Sequence, residues 1–153
     1  METQTSLPAS QLLAKAMATA RPADLPPQVI EDTCRAILDW LGSALAGALE
    51  PPARMAQQVV AGLGASDEAT VFAAGRAAAA GAALANGVGS HILELDDLHK
   101  GSTMHAAAPI IPAALAVAER ERAAGRAFVL AVALGYEAAL RIGEAVNPSH
   151  YRF

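Results

Sequence analysis

The chain has 153 residues and a net charge of −4, with no basic run and no aromatic–basic interleaving, so it carries no footprint for nucleic acid. Cys34 is the lone cysteine, which rules out an intramolecular disulfide and fits a reducing compartment. About a quarter of the residues are alanine and only 4% are aromatic, a composition that favours helices packed closely through small side chains.

The first six residues contain an acid and no cationic segment, so no secretory leader is expected and the protein reads as cytoplasmic. Asp24 followed by Pro26 and Pro27 is a helix-start signal. From there Ile30, Cys34, Ile37, Leu38, Leu41, Leu45 and Ala48 recur at three- and four-residue spacing, which predicts one apolar helix face. Pro51-Pro52 ends that helix and opens another, with Met55, Val59 and Leu63 on one side. Residues 65–76 form a connector in which Thr70-Val71-Phe72 is too short for a sheet.

A long small-residue helix is expected from about Ala77 to Asp97, where close packing would offset the cost of Gly81, Gly87 and Gly89. A loop from His99 to Ala107 follows. Pro109 and Pro112 start the next helix, which stops at Gly125. A last helix runs from about Arg126 to Val146 and ends at Asn147-Pro148, with Glu137 and Arg141 four apart in the favourable acid-first order. The two most apolar stretches, 77–93 and 127–146, contain Asn86 and His91 in one and Glu137, Arg141 and Glu144 in the other. Both therefore read as core helices rather than membrane spans. With no alternating strand pattern, the expected fold is all-α, a compact bundle of about five to six helices.

The chemistry concentrates between Glu94 and His105. On a continuous helix Asn86, Ser90, Glu94 and Asp97 would fall on one stripe, with Asp96 about 100° away. The following loop delivers His99, Lys100, Ser102, Thr103 and His105. Asn86 and Ser90 can equally be interhelical hydrogen-bond partners, and His91 reads as a satisfied core histidine. Three acids at a helix C-terminus oppose its dipole, and locally unfavourable choices tend to mark functional sites. A divalent metal is the next alternative, but the spacing matches no strong metal signature. Neither a nucleotide-binding glycine loop nor a Gly-x-Ser-x-Gly nucleophile motif is present.

The run from Ala83 to His99, then Gly-Ser-Thr-Met-His and the Pro109–Ala116 segment, resembles the MmgE/PrpD family of 2-methylcitrate dehydratases, cis-aconitate decarboxylases and iminodisuccinate epimerases. Ile37–Gly47, Gly135–Gly143 and the closing Pro-Ser-His-Tyr are similar to further family segments. The resemblance implies a large helical domain, a smaller lid domain and a homodimer, with no metal or organic cofactor. It also implies proton transfer next to a carboxylate of a small di- or tricarboxylate, giving dehydration, decarboxylation or epimerisation.

By position, Glu94 stands where the family usually has Asp in an Asp-x-Asp-Asp-Thr pattern, Asp97 keeps its acid, and Leu98 replaces the threonine. His105 matches the family's active-site histidine, with Ala106 in place of a frequent proline. The catalytic candidates are thus His105, Asp97 and Glu94, and the substrate-binding candidates are Lys100, His99 and Asn86. Residues 1–153 read as the first third of such an enzyme, completed by further chain or a partner. The rival reading is a non-catalytic helical module that pairs with itself or another chain.

Overall fold

The computed structural model describes residues 7–149. Six α-helices lie among them: α1 (Ala9–Thr19), α2 (Pro27–Gly47), α3 (Pro51–Gly62), α4 (Ala79–His91), α5 (Ala107–Arg120) and α6 (Gly125–Val146). The all-helical expectation holds, with one addition. Between α3 and α4 the chain forms a small antiparallel hairpin, β1 (Ala69–Val71) and β2 (Gly75–Ala77), which pairs Ala69 with Ala77 and Val71 with Gly75.

Helix α4 is the centre of the assembly and packs against α2, α3 and α5, while α6 packs on α2 and α5. Small residues make these approaches possible. A Cβ on Gly47 of α2 would lie 2.0 Å from the backbone oxygen of Gly89 in α4, and one on Gly81 would meet Val60 Cγ1 at 2.7 Å. The helix-propensity cost of these glycines is therefore offset by contact, as the sequence reading required.

Two apolar clusters result. One gathers Val60, Ala69, Val71, Ala77, Ala82, Ala85 and Ala116 around the hairpin. The other surrounds Trp40, with Ala44, Ala107, Ile111 and Val132 buried and Phe72 tilted against the indole at a ring separation of 5.7 Å.

The buried faces of α2 and α3 are not the ones periodicity picks out. Thr33, Trp40, Ser43, Ala44 and Gly47 face inward on α2, whereas Leu38 is 70% and Leu45 55% exposed. On α3 the inward residues are Ala53 and Val60, and Met55, Val59 and Leu63 all face outward. Close helix contact selects small side chains and leaves the larger aliphatics outside. Helix α1, which the sequence reading did not identify, has no buried residue. Glu137 and Arg141 form the expected ion pair on α6. No helix among the described residues is long and apolar enough to cross a membrane.

Candidate active site

Helix α4 ends at His91, six residues before the expected Asp97, and this early stop reorganises the site. The Ile92 N–H bonds the carbonyl of Val88 and the Glu94 N–H bonds that of His91 at 2.8 Å. Glu94 then takes a left-handed conformation (φ 50°), a strained choice for a non-glycine residue. The predicted stripe of Asn86, Ser90, Glu94 and Asp97 is accordingly broken after Ser90. Carbonyls at a helix C-terminus repel carboxylates, so unwinding before the acids is the electrostatically favourable course.

The turn folds Asp96 back onto the helix end. Its side chain is fully buried, and His91 Nδ1 lies 3.1 Å from each of its oxygens. From the other side His105 Nδ1 approaches Asp96 Oδ1 at 3.5 Å. The two imidazoles meet edge to face with ring centroids 4.9 Å apart. His105 Nδ1 is itself buried without a hydrogen bond, although a third of the side chain is exposed. That leaves Nε2 as the nitrogen a ligand can reach.

Sequence reasoning missed two members of this cluster. Asp96 was set aside because a continuous helix would point it away, and His91 was read as a core residue, yet its side chain is 47% exposed. Each of His91, Asp96 and His105 can also offer one donor atom within 4.8 Å of the others, so these three could hold a divalent ion.

The other sequence candidates occupy different places. Asp97 accepts the Ala107 N–H at the start of α5 and the Tyr136 hydroxyl from α6, both at 2.9 Å. A carboxylate there complements the helix dipole and locks the loop between two helices. Burial, then the charge of Asp97 and its hydrogen bond, hold the Tyr136 phenol well above the usual tyrosine range. Asn86 is buried among backbone groups: its Oδ1 accepts the Phe72 N–H at 2.9 Å and its Nδ2 donates to the Thr70 carbonyl at 2.8 Å. With both ends committed to the hairpin, it has little left for a substrate. Glu94 and Lys100 are exposed, and neither side chain forms an ion pair with a described residue.

His99 and Ser102 form a tight turn closed by paired His99–Met104 backbone hydrogen bonds. The Ser102 N–H donates to His99 Nδ1 at 3.2 Å, the Ser102 hydroxyl lies 2.9 Å from that nitrogen, and His99 Nε2 is 3.8 Å from Glu144. A serine, histidine and acid thus stand in line. Ser102 is wholly buried under Gly143 of α6, however, so no substrate reaches its hydroxyl. The turn is a structural clasp, which the Asn147 side chain extends by donating to the Gly101 carbonyl at 2.7 Å.

An open groove of about 550 Å³ runs beside His91 between α4 and α5, walled by Leu84, Val88, Ile92 and Pro109. The side chains that line it are apolar except for that histidine.

A family model described as the MmgE/PrpD N-terminal domain matches residues 11–153. The chain belongs to the MmgE/PrpD family. Among curated relatives, the cis-aconitate decarboxylase-like protein oryM of Aspergillus oryzae is 27% identical over 134 residues, which are 82% of this chain and 28% of that protein. The cis-aconitate decarboxylase of Aspergillus terreus is 29% identical over 132 residues, 82% of this chain and 27% of that protein. This MmgE/PrpD chain therefore spans little more than a quarter of the length of the curated relatives it matches. No solved structure matches it significantly.

Proposed function

We propose that this MmgE/PrpD chain supplies the N-terminal part of a lyase or isomerase site that moves a proton next to a carboxylate of a small di- or tricarboxylate, with His105 as the proton-transferring base. The observation that carries the reading is the position of His105: Nδ1 turned inward toward the buried Asp96 carboxylate, with the rest of the ring partly open. A base held by an acceptor on one nitrogen presents the other, unprotonated, to its substrate. The names of the relatives support decarboxylation of cis-aconitate over the dehydration and epimerisation alternatives.

The surroundings are short of positive charge. Glu94, Asp96 and Asp97 crowd the segment against Lys100 as its one lysine. A polyanionic substrate needs cations for its carboxylates and for the enolate-like intermediate, so further cationic groups would come from additional chain or from a partner. Glu94 and Lys100, exposed on the same segment, are the further candidates to assist, whereas His99 is tied to Ser102 and faces Glu144. The exposed aliphatics of α2 and α3 favour a second reading, a helical module that works by pairing with another chain.

Turnover separates the two. The chain is assayed with cis-aconitate and 2-methylcitrate, alone and grafted in place of the matching segment of the Aspergillus terreus relative, with carbon dioxide and unsaturated products followed by NMR. His105→Ala should lower turnover about 10²–10⁴-fold with the melting temperature little changed. If turnover survives that substitution undiminished, His105 is not the base and the pairing reading takes its place.

A further inference from the structure

We propose that Asp96 is a positioning residue that fixes the tautomer of two histidines at once, so that His91 stands beside His105 as a second imidazole base. This rests on the reading of His105 as the base and assigns its supporting groups.

The reasoning starts from Asp96. A carboxylate with no exposed surface needs hydrogen-bond donors, because an unsatisfied buried charge is costly. The donors that face it are imidazole nitrogens: His91 Nδ1 at 3.1 Å from both oxygens, and His105 Nδ1 at 3.5 Å from Oδ1. An ionised carboxylate only accepts, so a nitrogen that bonds it must carry the hydrogen. For His105 the need is mutual, since its Nδ1 is buried and Asp96 is the carboxylate that faces it. The separation of 3.5 Å is long for a hydrogen bond, and such contacts in unliganded sites tighten when substrate binds.

Both rings are therefore Nδ1–H tautomers, the minor form of free histidine, and both Nε2 lone pairs are bare. Each ring is accessible, His91 at 47% and His105 at 33% side-chain exposure. Two bases thus radiate from one carboxylate, their rings 4.9 Å apart. His91 also borders the groove between α4 and α5, so a ligand in that groove would meet this imidazole.

His99 provides a contrast within the same chain. The Ser102 backbone N–H donates to its Nδ1, so that nitrogen must be bare and the hydrogen must sit on Nε2, on the side of Glu144.

The test is long-range proton–nitrogen correlation NMR on the whole chain with labelled histidine. It is recorded at pH 8.5, above the ordinary range of imidazole titration, and in EDTA so that no bound ion sets the tautomer. Signals are assigned with His91→Gln, His99→Gln and His105→Gln. The wild-type spectrum should show a protonated Nδ1 and a bare Nε2 for His91 and His105, and the reverse for His99. In Asp96→Ala both rings should revert toward the Nε2–H form. A protonated Nε2 on either His91 or His105 in the wild type overturns the inference, whether or not the Asp96 variant folds. A protonated Nε2 on His91 alone would leave His105 available as the base, whereas undiminished turnover in His105→Ala sinks the proposed function with the tautomers intact.

Discussion

Tyr136 shows how a single proton ties the site to stability. Its hydroxyl donates to Asp97, and burial together with the neighbouring charges of Asp97, Asp39 and Asp96 raises its pKa. In the unfolded chain the phenol begins to lose its proton near the ordinary value of about 10, while the folded protein retains it. A group whose folded pKa is raised gives stability that is whole below the unfolded value and is lost as pH climbs through it. Alkaline unfolding above about pH 10 should therefore be steeper in the wild type than in Tyr136→Phe, by chemical denaturation across pH 8–11. At neutral pH the same substitution removes a hydrogen bond to a charged acceptor and should lower stability by about 1.5–3 kcal/mol. Equal pH slopes in the two proteins would mean that the phenol is not held by Asp97. Acids and histidines gathered from Glu94 to His105 were legible in the sequence as a cluster, though His91 of the same site lies outside that segment. Their division of labour was not. Asp97, a catalytic candidate, bonds the Ala107 N–H and the Tyr136 hydroxyl, whereas Asp96, which a straight helix would turn away, is the acid beside both histidines. The angular placement of Asp96 failed through one error of register, since every position beyond His91 assumed a helix that had already ended.

At the level of elements, the clue to that ending was present. Three carboxylates in a last helical turn oppose the dipole, and a stop before them resolves the conflict. Other elements resisted reading for a different reason. The hairpin of three-residue strands is too short to register as alternation and exists because side chains outside it satisfy its backbone. Asn86 takes Phe72 N–H and Thr70 C=O, Glu119 takes the Thr70 N–H and hydroxyl, and Gln57 donates to the Phe72 carbonyl at 3.1 Å. Asn86→Ala strands two backbone groups at the edge of the core and should cost about 2 kcal/mol or more. A chevron or equilibrium melt measures the loss, and the histidine tautomers should stay as in the wild type. If Asn86→Ala instead melted like the wild type and lost affinity for cis-aconitate, the asparagine would be a substrate ligand after all. Pro27, Pro51 and Pro109 were sound signals, each in the first turn of a helix where a missing N–H costs nothing, whereas Pro112, read as part of a helix start, lies inside α5.

Over the whole molecule, the outer faces of α2 and α3 set the expected behaviour in solution. Ile30, Cys34, Leu38 and Leu45 on one helix and Met55, Val59 and Leu63 on the next keep the periodicity of a buried stripe, yet they are exposed. A periodic apolar face is a statement that something packs there, and in this fold the small residues have already taken the interior positions. The aromatic segment from Tyr151 to Phe153 lies outside the described residues. Removing 100 Å² of apolar surface from water is worth about 2.5 kcal/mol. An interface several times that size can exceed the association cost of roughly 4–15 kcal/mol. The chain at micromolar concentration should therefore sediment faster than a 15.6 kDa monomer and bind an apolar dye, with both signals falling as it is diluted. Leu38→Glu together with Met55→Glu should shift it toward monomer without loss of helical circular dichroism, because neither side chain is part of the core. A monomer that stays dye-silent at all concentrations would show that these faces are tolerated in water, and would remove the support they give to the pairing reading.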